Sequence, residues 1–202
     1  MEKIQVDFHQ KELFLRFFGN NIYAVGGYVR DLLRKQPTEE VDLLILNHTV
    51  NQVVDKLQPE GRVDLVGKSF GVIKFTVDGR TYDIALPRID QAEEAEIRGH
   101  KDFRITTDPD LPIEKDLERR DFRCNSIALR LADGIIIDPF QGRKDIQQKI
   151  LRMTNPETFA EDPLRLLRAA RFASILEYSV DQDIYEKAKA IELSSLSMER
   201  IN

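Results

Sequence analysis

The sequence predicts an α+β fold, a mixed sheet with helices on one face followed by a segment of helices alone. Three observations point there. Short apolar strands alternate with amphipathic stretches through the first part of the chain, in the order β-α-β-α-β-β. An Asp78-Gly79 pair separates two strand-like runs, as in a tight hairpin. From about residue 144 the texture changes to helix only.

Each element follows from its residues. Positions 7–18, DFHQKELFLRFF, have helical spacing and run into Gly19-Asn20-Asn21, which stops them. IYAVG is a short apolar strand that enters a glycine pair, and YVRDLLRK predicts a helix ended by Pro37. VDLLIL is the next strand and NHTVNQVVDKLQ the next helix. GVIKFTV and TYDIALP form a hairpin around the two-residue turn. Residues 91–116 are polar, acid-rich and aperiodic, so a mobile loop is expected. A helix follows at about 116–131, then a strand at GIIID. TNPETFAEDPLRLLRAARFASIL reads as a helix with Pro156 in its first turn. Leu164, Leu166, Leu167, Ala170 and Phe172 lie along its broad apolar side. The expected domains are 1–145, an α/β unit, and 146–202, a helical one.

Composition narrows the function classes. With 202 residues, 42% of them hydrophobic, the chain can build a core without staples. One cysteine, Cys124, excludes an internal disulfide framework and fits a reducing compartment. The charged start, MEKIQVDFHQKE, lacks the apolar stretch of a signal peptide, and no run approaches a membrane helix. A cytoplasmic protein is expected. Net charge is −5, so a nucleic-acid partner has to be argued from local basic clusters.

The chemistry concentrates in a few positions. Gly26-Gly27 lies between a strand and a helix, where backbone can approach a phosphate closely and Arg30 could reach the same anion. The alternative is a glycine turn beside a surface arginine. Glu40 and Asp42 are spaced to leave one face of a strand together, where their repulsion suits Mg²⁺, or else they are two solvated acids on an edge. Asp83, amid an apolar strand, offers a third carboxylate that needs a partner or a metal. There is no G-x-G-x-x-G, which argues against a dinucleotide fold.

The blocks VGGYVRD, acid-x-acid, YDIALPR, DLERRDFRCNSIA, IDPFQGRKDI, EDPLRLLRAARFA and MERI occur in that order between about 22 and 201. In this the chain resembles the class II tRNA nucleotidyltransferases, which include CCA-, CC- and A-adding enzymes and bacterial poly(A) polymerases. The resemblance implies a polymerase-β-type nucleotidyltransferase head at 1–145 and an all-α neck at 146–202. The body and tail domains that grip tRNA in the family are expected to be missing, since the chain stops just after MERI.

The resemblance also implies roles. Gly26, Gly27, Arg30 and Asp31 would contact the incoming triphosphate, and Glu40 and Asp42 would bind two Mg²⁺ ions. The family has Asp at both acid positions, so Glu40 is a departure, as is Arg34-Lys35 where a glycine usually follows VRDLL. Arg119, Arg120 and Asp121 would support the sugar and phosphates. Asp162 and Arg165, three apart on one helical side, would read the edge of the base, or else pair with each other. Arg165, Arg168 and Arg171 recur every third residue as a stripe suited to triphosphate or RNA, or simply to solvent.

The implied reaction is attack of an RNA 3′-hydroxyl on the α-phosphorus of CTP or ATP, with tRNA as acceptor. Glu40, Asp42 and Asp83 would hold the metals. His9, His48 and His100 lie outside every block and read as structural or loop residues. Tail-extending poly(A) polymerase activity and a catalytically silent nucleotide- or RNA-binding module are the competing readings.

Overall fold

The computed structural model describes residues 4, 6–36, 38, 40–66, 72–92, 103–189 and 191. Pro37, His100 and the MERI block lie outside them.

The first helix, α1 (Lys11–Phe18), starts later than its periodicity suggested, because Gln10 takes a left-handed conformation at φ 69° and breaks the run. A 3₁₀ turn at Gly19–Asn21 leads into β1 (Ile22–Val25), then α2 (Gly27–Leu33) and β2 (Asp42–Ile45). Helix α3 (Val50–Leu57) is set by a capping box. The Thr49 hydroxyl accepts from the Gln52 amide while the Thr49 amide donates to the Gln52 side chain. Three strands follow, β3 (Arg62–Val66), β4 (Val72–Val77) and β5 (Arg80–Ala85). The β4–β5 hairpin closes as expected, with positive φ at both Asp78 (48°) and Gly79 (75°). β3 has no counterpart among the expected strands, because its RVDLV is an exposed edge strand with no buried alternation to betray it.

Of the stretch at 91–116 expected to be mobile, residues 93–102 lie outside the described residues, and the chain on either side of them is regular. β6 (Arg88–Ala92) and β7 (Phe103–Thr107) pair antiparallel, and α4 (Ile113–Glu118) follows. The helix predicted over 116–131 is a second correction. It stops at Glu118, gives way to a 3₁₀ turn at Arg123–Asn125, and residues 128–130 become strand β8 (Ala128–Arg130). Burying Ala128 and Leu129 beside the central strand β1 outweighs local helix propensity. β9 (Ile136–Ile137) and α5 (Gly142–Gln148) complete this part.

Seven strands form one sheet in the order β3-β4-β5-β2-β1-β8-β9, and within it β2–β5 is the parallel pairing. One face carries Ile22, Ala24, Leu43, Ile45, Ile73, Phe75 and Ile84, covered by Phe14 and Phe18 of α1, Val29 of α2, Val53 and Leu57 of α3 and Ile146 of α5. On the other face Tyr23, Val25, Leu44 and Ala128 pack against Ile113 and Leu117 of the short α4.

After β10 (Ile150–Leu151), the long helix α6 (Leu164–Leu176) begins eight residues beyond Pro156. Asp162, which precedes Pro163, is extended at φ −118° and ψ 101°, as a residue before proline must be, so the helix cannot pass back through it. Its inward side is Leu166, Ala169, Phe172 and Leu176, while Ala170 is exposed rather than on the apolar face. β11 (Ser179–Val180) pairs parallel with β10, and α7 (Gln182–Ala188) closes the described chain. Leu151, Met153, Phe159, Ala169, Leu176 and Ile184 join the same core cluster as the sheet. Phe122 makes the link, 6.0 Å from the Phe159 ring and 5.7 Å from the Phe172 ring. No helix among the described residues is long and apolar enough to cross a membrane.

Candidate active site

The sheet builds the site one rung at a time. Asp42 opens β2 and stands in register with Asp83 of β5 on one side and Val25 of β1 on the other. Asp83 is in turn the partner of Lys74 on β4. Directly paired residues share a face, so Lys74, Asp83 and Asp42 form a row on the α4 side, opposite the main helical layer.

The glycine turn meets this row. Gly26 adopts φ 69° and ψ −135°, a conformation reserved in practice for glycine. A Cβ placed there would lie 3.3 Å from Asp42 Oδ2 and 3.2 Å from Arg120 Nη1. Turn, acid and guanidinium thus converge. Asp42 is exposed at the strand's entrance, but surrounding atoms crowd its carboxyl. This loss of solvation holds it above the ordinary aspartate value, Asp83 and Glu40 add repulsion, and Arg120 and Arg30 pull the other way.

Two carboxylate expectations change. Glu40 lies before β2 and is exposed, so strand alternation does not align it with Asp42, though its charge reaches that residue. Asp83 is half-exposed, not buried, and its partner is Lys74, whose Nζ lies 2.7 and 3.1 Å from the two carboxylate oxygens. Lys74 belongs to no motif, although the hairpin around the two-residue turn at 78–79 already sets it opposite Asp83. Among the described residues, no group of three His, Cys, Asp or Glu side chains is gathered to hold a metal ion. The donor set nevertheless has the right chemistry. Hard oxygens from Asp42 and Asp83 face one side, and a divalent cation would offset the repulsion that Asp83 and Glu40 exert on Asp42.

Arg120 is anchored from below. Asp116 of α4 is fully buried and accepts from Arg119 Nε (2.9 Å) and from Arg120 Nη2 (3.2 Å). Burial alone would raise the Asp116 carboxyl, but the guanidiniums of Arg120 and Arg119 outweigh it and hold it below the usual range. Arg120 Nε is buried without a partner among the described residues. Arg119 is committed mainly to Asp116, and its carbonyl accepts from Arg165 Nη2 at 2.8 Å. Arg165 Nη1 donates to the Thr158 carbonyl at 3.1 Å. Asp162 shapes the entrance of α6, where its Oδ1 accepts from the Leu164 amide and its carbonyl from the Arg165 amide.

Arg30 departs from the expectation of a side chain reaching for an anion. It is buried; Nε and Nη2 donate to Asp31 at 3.0 and 2.6 Å, and Nη1 donates to Asn125 Oδ1 at 2.8 Å. Asn125 passes the connection on, its Nδ2 donating to Asp121 Oδ1 at 3.2 Å, and Asp121 Oδ2 accepts from Arg168 Nε at 2.7 Å. Both arginines lie over the Phe172 ring, Arg30 at 5.4 Å and Arg168 at 5.3 Å from its centre. Asp121 is therefore a buried junction of this relay, bonded also to its neighbour's amide (Phe122 N, 2.8 Å). Arg171 is exposed on α6, outside the relay. Cys124 is buried, and burial pushes its thiol up to about 12, which leaves it inert.

A family model described as the poly A polymerase head domain matches residues 22–152. A multifunctional CCA protein of Stenotrophomonas maltophilia is 36% identical over 187 residues, which is 89% of this chain and 43% of that protein. A multifunctional CCA protein of Nitrosococcus oceani is 39% identical over 160 residues, 79% of this chain and 36% of that one. The chain thus spans less than half the length of these relatives. Among solved structures, the Bacillus stearothermophilus CCA-adding enzyme in complex with CTP superposes with a TM-score of 0.76 at 30% identity, covering 95% of this chain and 46% of that one. A tRNA nucleotidyltransferase complexed with a primer tRNA and an incoming ATP analogue gives 0.67 at 26% identity, covering 89% and 49%.

Proposed function

Because the chain belongs to the poly A polymerase head-domain family, we propose that it carries the catalytic part of an RNA nucleotidyltransferase that adds C and/or A from CTP or ATP to the 3′ end of tRNA. The observation that carries this reading is the meeting of Gly26, Asp42 and Arg120 beside the register partner Asp83. The relatives named as CCA proteins favour tRNA over extension of general RNA tails. Residues 1–145 form the head in this reading and 146–202 the beginning of the neck.

In the reaction the acceptor's 3′-hydroxyl gives its proton to solvent, its oxygen bonds to the α-phosphorus, and the bond to the bridging oxygen breaks to release pyrophosphate. Asp42 and Asp83, with Glu40 from its flanking segment, would hold Mg²⁺, which supplies Lewis-acid polarisation of the hydroxyl and charge neutralisation at the leaving group. Gly26 lets the phosphates approach the backbone where a side chain would block them. Arg120, pinned by Asp116, presents a fixed positive charge to the same space. Arg30 acts through the turn it braces instead of on the phosphates. Asp162 and Arg165 border the base, with Asp162 accepting from an exocyclic amine and Arg165 donating to a ring acceptor. Arg168 and Arg171 extend the basic face of α6.

The test is incorporation of labelled CTP or ATP by the chain into tRNA lacking its 3′ end, with Mg²⁺ present. Addition of one to three nucleotides supports the reading. Long A tracts on any RNA would favour the poly(A) alternative, and nucleotide binding without incorporation would favour a silent module.

A further inference from the structure

Asp42 and Asp83 differ in what balances their charge. Asp42 faces Arg120, whose guanidinium is fixed by the fully buried Asp116. Asp83 faces Lys74, a flexible stem whose ammonium contacts both carboxylate oxygens at 2.7 and 3.1 Å. That contact is not locked, since the two side chains are 41% and 46% exposed. Lys74 has a second acidic register partner, Asp64 on β3, but Asp64 is paired with Arg62 at 2.8 Å. The ammonium is thereby committed to Asp83.

We infer that Lys74 is a tethered counter-cation for the carboxylate row, which competes with divalent metal for Asp83 and must release it before Asp42 and Asp83 share an ion. This rests on the metal-binding reading above. A divalent ion bridging the two acids needs at least one oxygen of Asp83, and the ammonium touches both. Its +1 charge also repels an approaching cation. An exposed pair costs little to break, so Lys74 tunes metal affinity without abolishing it. The unloaded site keeps its repulsion in check, and the freed ammonium then stands on the rung next to the metal.

The experiment titrates Mn²⁺ against the 202-residue chain without nucleotide, reading free Mn²⁺ by electron paramagnetic resonance. Lys74→Met, which keeps the length and removes the charge, should bind Mn²⁺ roughly three- to tenfold more tightly than the parent. Lys74→Arg, which keeps the charge, should stay near the parent, and Asp42→Asn should bind more weakly. If Asp42→Asn weakens binding while Lys74→Met leaves it unchanged or weaker, the metal site stands and Lys74 is only a cross-strand brace, which overturns the inference. If no variant or parent binds Mn²⁺, the metal reading falls and takes the inference with it.

Discussion

Asp42 and Asp83 are register partners across the parallel pairing of β2 with β5, so two carboxylates from distant parts of the chain leave one face of the sheet side by side. No other acid is needed to explain why the first should be indispensable. Asp42→Asn should lower Mg²⁺-dependent nucleotide incorporation by about a hundredfold or more, the scale of losing one preorganised charge. Single-turnover assays with labelled CTP would measure it, with circular dichroism as the check on folding. Retained activity would remove Asp42 from the metal site.

The raised Asp42 carboxyl makes a second prediction, on stability and pH. In the folded chain the group binds its proton more tightly than in the unfolded chain. It therefore costs stability as pH rises from the ordinary aspartate value through its folded value, and the cost is absent in stronger acid. Asp42→Asn should melt higher than the parent at neutral pH, and the gap should close as the solution is acidified. Melting curves between pH 3 and 8 would reveal it, and a constant gap would contradict the origin assigned to it.

Arg30 should behave as a structural residue. Its Nε, Nη1 and Nη2 all donate within the protein, so losing the fork leaves Asp31 with Arg34 alone and takes from Asn125 Oδ1 its guanidinium donor. Arg30→Met should cost about 2–4 kcal/mol, the range for breaking a buried charged network. Arg30→Lys should rescue little of this, because one ammonium cannot reach both partners in a planar fork. Urea denaturation without nucleotide or metal would measure both variants. An Arg30→Met chain as stable as the parent would return Arg30 to the phosphate site.

Phe159 should prove that the head and the start of the neck share one core. It is fully buried against Phe122 of the preceding part. Phe159→Ala should cost about 3–5 kcal/mol and shift a single unfolding transition. A chain cut at residue 145 would expose the underside of Phe122 and should not fold alone. Two separate transitions in calorimetry would place the boundary where the change of sequence texture suggested it.

The parts of this fold that could be read from the sequence are those where one local preference acts alone. Asp78-Gly79 can close a tight hairpin, and the apolar strand before Gly26 can only lead into a turn, so both were predicted. The region after Glu118 was misjudged because SIALRL has helical propensity until β1 offers it a partner. Pro156 looked like a helix start, but Pro163 in the same stretch decides the matter. Within the site, residue types identified Gly26, Asp42 and Asp83. They could not tell that Arg30 and Asp121 turn inward to Asn125, because that depends on how α2 packs against the 3₁₀ turn at 123–125, whereas the two-residue turn at 78–79 already sets Lys74 opposite Asp83.

Strand order also sets a clock. β1 lies between β2 and β8, and its second neighbour arrives late, with Tyr23 opposite Arg130. At a synthesis rate of ~5–20 residues per second, a newborn chain waits roughly 5–20 s with one edge of its central strand unfilled. Over that interval the hydrogen-bonding groups on that edge of β1 have no native mate, and an incomplete chain is most open to pairing with its neighbours.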